Sequence, residues 1–158
     1  MCGIGGKLYF DSVRSVNPTL LERMNAVLAH RGPDDGGVYH DGPIGLAHRR
    51  LSIIDLSPAG HQPMSNPEGT LWITFNGEIY NFLELRGELE RDGVAFRSKT
   101  DTEVILALYE RHGAECLRYL RGMFAFAIWD GRARTLFLAR DRLGKKPLYY
   151  YQDAKQFL

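Results

Sequence analysis

Met1-Cys2-Gly3-Ile4-Gly5-Gly6 is the stretch on which the fold turns, because it reads as a nucleophile running straight into a β-strand. Removal of the initiator Met leaves Cys2 with a thiol and a free α-amine on one carbon. The amine titrates near about 7.7–8 and a thiol near about 8.5, so a proton passes between them at little cost around neutral pH. The backbone nitrogen is a titratable amine only at the first residue of a chain, so the device works nowhere else. Gly3, Gly5 and Gly6 carry no side chain and let a substrate or a neighbouring strand come close. Taken alone, Cys2 is equally a residue of a frayed terminus. The rest of the chain has to decide.

Working outward, Ile4 to Phe10 is a strand with Ile4, Leu8 and Phe10 apolar. Asn17-Pro18 is a helix entrance, Asn as N-cap and Pro at the first helical position. Leu20, Leu21, Met24, Val27 and Leu28 fall at helical spacing, and that helix stops near His30. His30-Arg31-Gly32-Pro33-Asp34-Asp35-Gly36-Gly37 is a loop by composition. Asp41-Gly42 turns a hairpin between Val38-Tyr39 and Ile44–Ala47, whose second strand runs on through His48-Arg49-Arg50 to Ile54. Alternation sends Arg49 and Arg50 to opposite faces, so only one of them faces a given pocket.

Residues 57–69 are a Pro- and Gly-rich connection. Leu71–Phe75 is a strand ending at Asn76-Gly77-Glu78, where Asn-Gly is a tight-turn signal. Phe82, Leu85 and Leu89 mark a helix closed by Gly93. Thr100-Asp101-Thr102-Glu103 has capping-box spacing before Val104, Ile105 and Leu108. A short helix over Ala114–Leu120 carries Cys116, a small core residue. Met123–Trp129 is apolar on both faces, as a central covered strand is. Asp130-Gly131 turns it back into Thr135–Ala139. Hairpin-linked strands with helices between them make an α+β chain of antiparallel sheet and packed helices.

Size and composition bound the function. The 158 residues suit one domain; 44% are hydrophobic and 25% charged, the profile of a soluble globular chain. Twenty basic against nineteen acidic side chains give a net charge of +1, so nothing in the overall charge calls for nucleic acid or an anionic membrane as partner. No apolar run reaches the ~20 residues of a membrane span, and the N-terminus is not laid out as a secretory signal. Two cysteines are too few for a disulfide framework, which points to the cytoplasm. His30, His48 and His61 lack metal-ligand spacing, and no metal is expected.

Together the motifs resemble the glutaminase domain of class II, N-terminal-nucleophile glutamine amidotransferases of the asparagine synthetase type. They are Cys2–Gly6, His30–Asp34, Arg50–Ile53, Asn76-Gly77-Glu78-Ile79-Tyr80-Asn81, Asp101, Gly122–Ala127, Arg140–Gly144 and Lys146–Tyr149, which span nearly the whole chain. The resemblance implies a four-layer αββα sandwich, two antiparallel sheets between helical layers. It implies a glutaminase domain over residues 2–158, cut short at its C-terminal end, with the synthetase domain outside this chain.

The implied reaction turns L-glutamine into L-glutamate and ammonia through a Cys2 thioester. By the same correspondence Asn76 and Gly77 hold the oxyanion and Arg50 grips the substrate carboxylate. Asp101 with Glu78 receives the ammonium, and backbone near Ile53 adds contacts. No cofactor is implied for this step. ATP and Mg belong to the synthetase domain, which receives the ammonia and makes asparagine from aspartate; the full-length relatives are implied to pair as homodimers. Two other readings stand beside it: a non-catalytic structural domain, or an amidotransferase feeding an acceptor in surface-polysaccharide or peptide natural-product synthesis. A hydrolase of another amide is disfavoured, because Arg50 and Asp101 together suit an amino acid's two charges.

Overall fold

The computed structural model describes residues Met1–Leu158, and the strand expected straight after Cys2 is present as β1 (Gly3–Tyr9). Helix α1 (Pro18–Val27) starts as the Asn-Pro pair predicts: the Asn17 side chain accepts from the N–H groups of Thr19 at 2.9 Å and Leu20 at 3.3 Å. The hairpin follows as β2 (Asp35–Asp41) and β3 (Ile44–Arg50), and Gly42 in its turn has a φ of 52°. A second sheet is built from β4 (Met64–Ser65), β5 (Leu71–Ile79), β6 (Gly122–Asp130) and β7 (Thr135–Arg140), in that order. Helices α2 (Phe82–Arg91) and α3 (Asp101–His112) lie between β5 and β6 in sequence. A short β8 (Gln156–Phe157) returns to the edge of β1, so the first sheet reads β2-β3-β1-β8. Every strand pair in both sheets is antiparallel.

The sheets stack because each strand is apolar on its inner face. Ile44 and Leu46 of β3 meet Ala127 and Trp129 of β6, and Tyr39 stacks on Trp72 with ring centroids 3.9 Å apart. That contact is thin. The larger core, a 17-residue cluster, lies on the far side of the second sheet. There Ile73, Phe75, Phe126 and Ile128 pack under Leu85 and Leu89 of α2 and Val104, Ile105 and Leu108 of α3. Each such side chain contributes about 1.5–3 kcal/mol on burial, so most of the apolar stabilisation sits there. Leu21 of α1 covers the outer face of the first sheet against Val16 and Ala47. The layers are therefore helix, sheet, sheet, helix: an α+β, αββα sandwich.

Four local expectations are corrected. Asn76-Gly77 is not a turn, since β5 continues through it and pairs Asn76 with Ala125 and Gly77 with Phe124 of β6. A Cβ on Gly77 would lie 2.7 Å from Phe124 Cα and closer still to Met123 O. Glycine is there for close strand approach rather than for turning. β3 stops at Arg50 instead of running to Ile54, because Leu51–Ser57 leaves the sheet to wrap the Arg50 side chain. The segment around Cys116 is a 3-10 helix over Gly113–Arg118. The capping box is only half formed: Thr100 Oγ1 accepts from Glu103 N at 3.3 Å, but the Glu103 carboxylate turns to the N–H groups of Arg97 and Ser98.

Candidate active site

One end of the sandwich opens where the two sheets part. In the first sheet Gly3 pairs with Arg49, and continuing that register by one residue sets Cys2 opposite Arg50. Leu8, Leu46 and Ile44 point toward the second sheet. With the two-residue period of a strand, Cys2 and Arg50 fall on the same inner face. Facing them at the end of β5 are Asn76, Gly77 and Glu78, and the first turn of α3 closes the third side with Asp101. The resulting cleft has a volume of about 170 Å3, and all seven residues singled out from the sequence line it: Cys2, Arg50, Ile53, Asn76, Gly77, Glu78 and Asp101.

The Cys2 thiol is half-buried, with Leu51 N donating to Sγ at 3.4 Å. Arg31 fixes the backbone beside it, its Nε donating to the Cys2 carbonyl at 3.2 Å. Asp34, from the same Arg-Gly-Pro-Asp loop, donates its N–H to Arg50 O and accepts from Ser52 N at 2.8 Å. The Arg-Gly-Pro-Asp loop therefore braces both Cys2 and Arg50.

Arg50 is only 6% exposed. Its Nη1 donates to Ser57 O at 3.0 Å and its Nη2 to the carbonyls of Ile54 and Asp55, while Nε has no protein partner. The cation is thus seated by the loop and keeps a free edge for an anion. Asp55 ties that loop across the cleft mouth, its carboxylate accepting from Lys99 N at 2.8 Å and from Ser57. Hydrogen bonds from the Ser57 hydroxyl and the Lys99 and Ser57 N–H groups pull Asp55 down to about 2. Ile53 sits at the exposed rim of the loop. Arg49 points to the other face, as alternation requires, with Nε on Gly32 O.

The free edge of β5 carries the most informative geometry. Phe75 N donates to the Gln62 side chain at 2.8 Å and Ile79 N to Asp101 Oδ2 at 3.0 Å, both on the side away from β6. Tyr80 N instead donates to Arg121 O, on the β6 side. Strand alternation therefore turns the Gly77 N–H outward, midway between Gln62 and Asp101 and into the cleft. Asn76 is 4% exposed on the neighbouring position. Asp101 is equally buried, and burial pushes its carboxyl up to about 6, reinforced by the Glu78 charge and opposed by the N–H groups of Ile79, Asp101 and Thr102.

Three participants were not singled out from the sequence. Gln62 clamps β5 to α3, its second end donating to Thr102 Oγ1 at 3.2 Å; nothing in a Pro- and Gly-rich connection signals it. Arg31 and Lys146 sit inside quoted motifs, but their roles depend on contacts about 29 and 145 residues away in sequence. His48, noted in the sequence only for lacking metal-ligand spacing, is buried between the sheets with Nε2 donating to Phe75 O at 3.0 Å.

A family model described as a glutamine amidotransferase domain matches residues 1–158. The chain belongs to that family. This amidotransferase domain is 52% identical over 131 residues to asparagine synthetase [glutamine-hydrolyzing] 1 of Bacillus subtilis, a match covering 83% of this chain and 21% of that protein. It is 40% identical over 160 residues to asparagine synthetase [glutamine-hydrolyzing] 3 of the same organism, covering 100% of this chain and 26% of the relative. The amidotransferase domain thus spans about a quarter or less of the length of these curated relatives. Among solved structures, glutamine phosphoribosylpyrophosphate amidotransferase from B. subtilis superposes with a TM-score of 0.80 over 99% of this chain and 41% of its own, at 21% identity. That likeness is one of fold. No helix of the domain is long and apolar enough to cross a membrane.

Proposed function

We propose that this chain hydrolyses the side-chain amide of L-glutamine to L-glutamate and ammonia. The observation that carries the proposal is the outward Gly77 N–H, set in one cleft with the Cys2 thiol, the Arg50 guanidinium and the Asp101 carboxylate. Thiol and open N–H suit an acyl transfer, and the two opposite charges suit the head of an amino acid.

Once Met1 is removed, the Cys2 α-amine takes the thiol proton as Sγ attacks the amide carbon. The negative oxygen of the tetrahedral adduct is stabilised by the Gly77 N–H and the Asn76 side chain, donors of a kind worth roughly 3–4 kcal/mol of barrier each. The amine returns its proton to the leaving nitrogen, ammonia departs, and Cys2 is left as a thioester. Water then attacks the thioester with the amine again as base, releasing glutamate and restoring the thiol. Arg50, through its unpaired Nε edge, holds the substrate carboxylate. Asp101, with Glu78 at the rim, holds the ammonium, and backbone near Ile53 completes the enclosure.

The names of the relatives support a destination for the ammonia: asparagine formation from aspartate by a synthetase domain outside this chain. ATP and Mg serve that domain and not the hydrolysis described here. An unpaired nucleophilic thiol keeps its reduced form in the cytoplasm, which we assign as the compartment.

The test is glutamate release by protein whose mass confirms loss of Met1. The processed protein turns glutamine over, whereas Cys2→Ala and protein retaining Met1 do not. Equal turnover by Cys2→Ala would remove the thiol from the mechanism.

A further inference from the structure

Lys146 lines the same cleft and, like Arg50, Glu78 and Asp101, forms no ion pair. It is 5% exposed, and the only hydrogen-bond partner of its ammonium is the thioether of Met1, 3.1 Å from Nζ. None of the ion pairs in the protein includes it. A thioether is a weak acceptor and offsets little of the cost of burying an ammonium.

The position is nevertheless held firmly. Asp141 gathers four backbone N–H groups, from Phe124, Leu143, Lys145 and Lys146, at 2.8–3.2 Å. Burial acts to raise the Asp141 carboxyl, but those four donors outweigh it and keep it below the usual range. The carboxylate so anchors the Lys146 backbone to Phe124, the residue paired with Gly77. From that fixed backbone the Lys146 ammonium reaches the amino end of the chain, where its partner is a residue that the proposed function requires to be removed.

The reactive forms of Cys2 hold one proton between sulfur and nitrogen. The form with two, thiol beside ammonium, has no base and no thiolate and cannot react. A free α-amine is mostly in that second form at pH 7, given its ordinary value of about 7.7–8. A nearby positive charge opposes the extra proton. Of the other charges around the cleft, Arg31, whose Nε donates to the Cys2 carbonyl, and Arg50 on β3 also oppose the extra proton; their carbonyl partners hold them in place without removing their charge. Glu78 on β5 and Asp101 on α3 favour the extra proton. Lys146, from the segment after β7, adds a third cation at the amino end, and unlike the two arginines its charged group has no carbonyl partner.

We propose that Lys146 is a positioning residue for Cys2: in the Met1-free protein its ammonium lies beside the new amino end and disfavours the doubly protonated, unreactive form. The inference rests on Cys2 being the nucleophile. It predicts that Lys146→Met moves the acid limb of kcat/KM for glutamine hydrolysis about one unit toward higher pH, that Lys146→Arg restores it, and that KM on the alkaline plateau stays unchanged. The pH dependence of Cys2 alkylation by iodoacetamide moves in parallel, and it is readable without turnover. Lys146→Gln serves as a second neutral variant, with Met1 removal checked by mass in each.

An unmoved acid limb in the neutral variants overturns the proposal. So does a KM rise with the limb in place, which would mean that Lys146 touches substrate instead. Retained turnover in Cys2→Ala would defeat the nucleophile assignment itself, a separate result.

Discussion

Asp101 is held in two ways that oppose each other. Burial favours its neutral form and sets its carboxyl at about 6, yet only the ionised form pairs with an α-ammonium. Glutamine affinity should therefore follow the Asp101 titration. In the Cys2→Ala protein, where no chemistry intervenes, the calorimetric Kd is expected to be flat above pH 7 and to weaken by up to tenfold per unit below pH 6. Asp101→Asn keeps an acceptor for the Ile79 N–H but loses the charge. Its Kd at pH 7.5 should be weaker by about 10- to 100-fold, the 1.5–3 kcal/mol range of a charged hydrogen bond, and no longer change between pH 5 and 7. A Kd of the Cys2→Ala protein that ignores pH over this range would separate Asp101 from the ammonium.

At the scale of elements, the site is the meeting of strand ends with the Leu51–Ser57 loop, and Gly60 is where that meeting is tightest. A Cβ there would lie 2.5 Å from the Arg50 Cζ and closer to Nη2. The intruded group is the tip of a long side chain rather than backbone, so the fold can yield while the guanidinium moves. Gly60→Ala is expected to raise KM for glutamine about tenfold with Tm within a few degrees of wild type. Gly77→Ala is the contrast, because its new methyl meets the β6 backbone, which cannot step aside. It should lower stability by several kcal/mol, in the overpacking range or beyond, as urea melts would report.

These two glycines also mark what the sequence made legible. Periodicity located the three helices and the longer strands but not the two-residue β4 and β8, and the resemblance supplied the stacking order and all seven cleft residues. Asn76-Gly77 looked like a turn because dipeptide chemistry is local, whereas the reason for glycine is a strand that arrives about 46 residues later. Gln62 and Lys146 escaped for the same reason. A clamp or a buried cation is defined by what lies opposite, and no pattern along one strand contains that.

Over the whole molecule, two buried titrating groups act against one another. Asp101 titrates at about 6 in the folded state against an ordinary 3.8, so the native protein binds its proton more tightly than the unfolded chain does. Its contribution to stability is greatest below about pH 4 and is lost as pH rises to 6, a fall of about 3 kcal/mol. His48 is the reverse case. Burial between the sheets lowers it from 6.5 to about 4, opposed by its bond to Phe75 O, and the unfolded chain then binds the proton more tightly. Its contribution is complete above pH 6.5 and is lost as pH falls to 4, again by about 3 kcal/mol.

The two windows nearly coincide, so the opposite slopes cancel. Wild-type stability without substrate should be almost level from pH 4.5 to 6.5. Single substitutions break the balance in opposite directions: Asp101→Asn leaves stability rising with pH across this interval, and His48→Gln leaves it falling. Urea melts of the three proteins at half-unit steps read this directly. The charged carboxylates held low, Asp55 and Asp141, cannot mimic the pattern, since their contributions are lost only as pH falls through and below the ordinary carboxylate range. A level profile in both variants would mean that neither group is as dry in solution as the sandwich makes it.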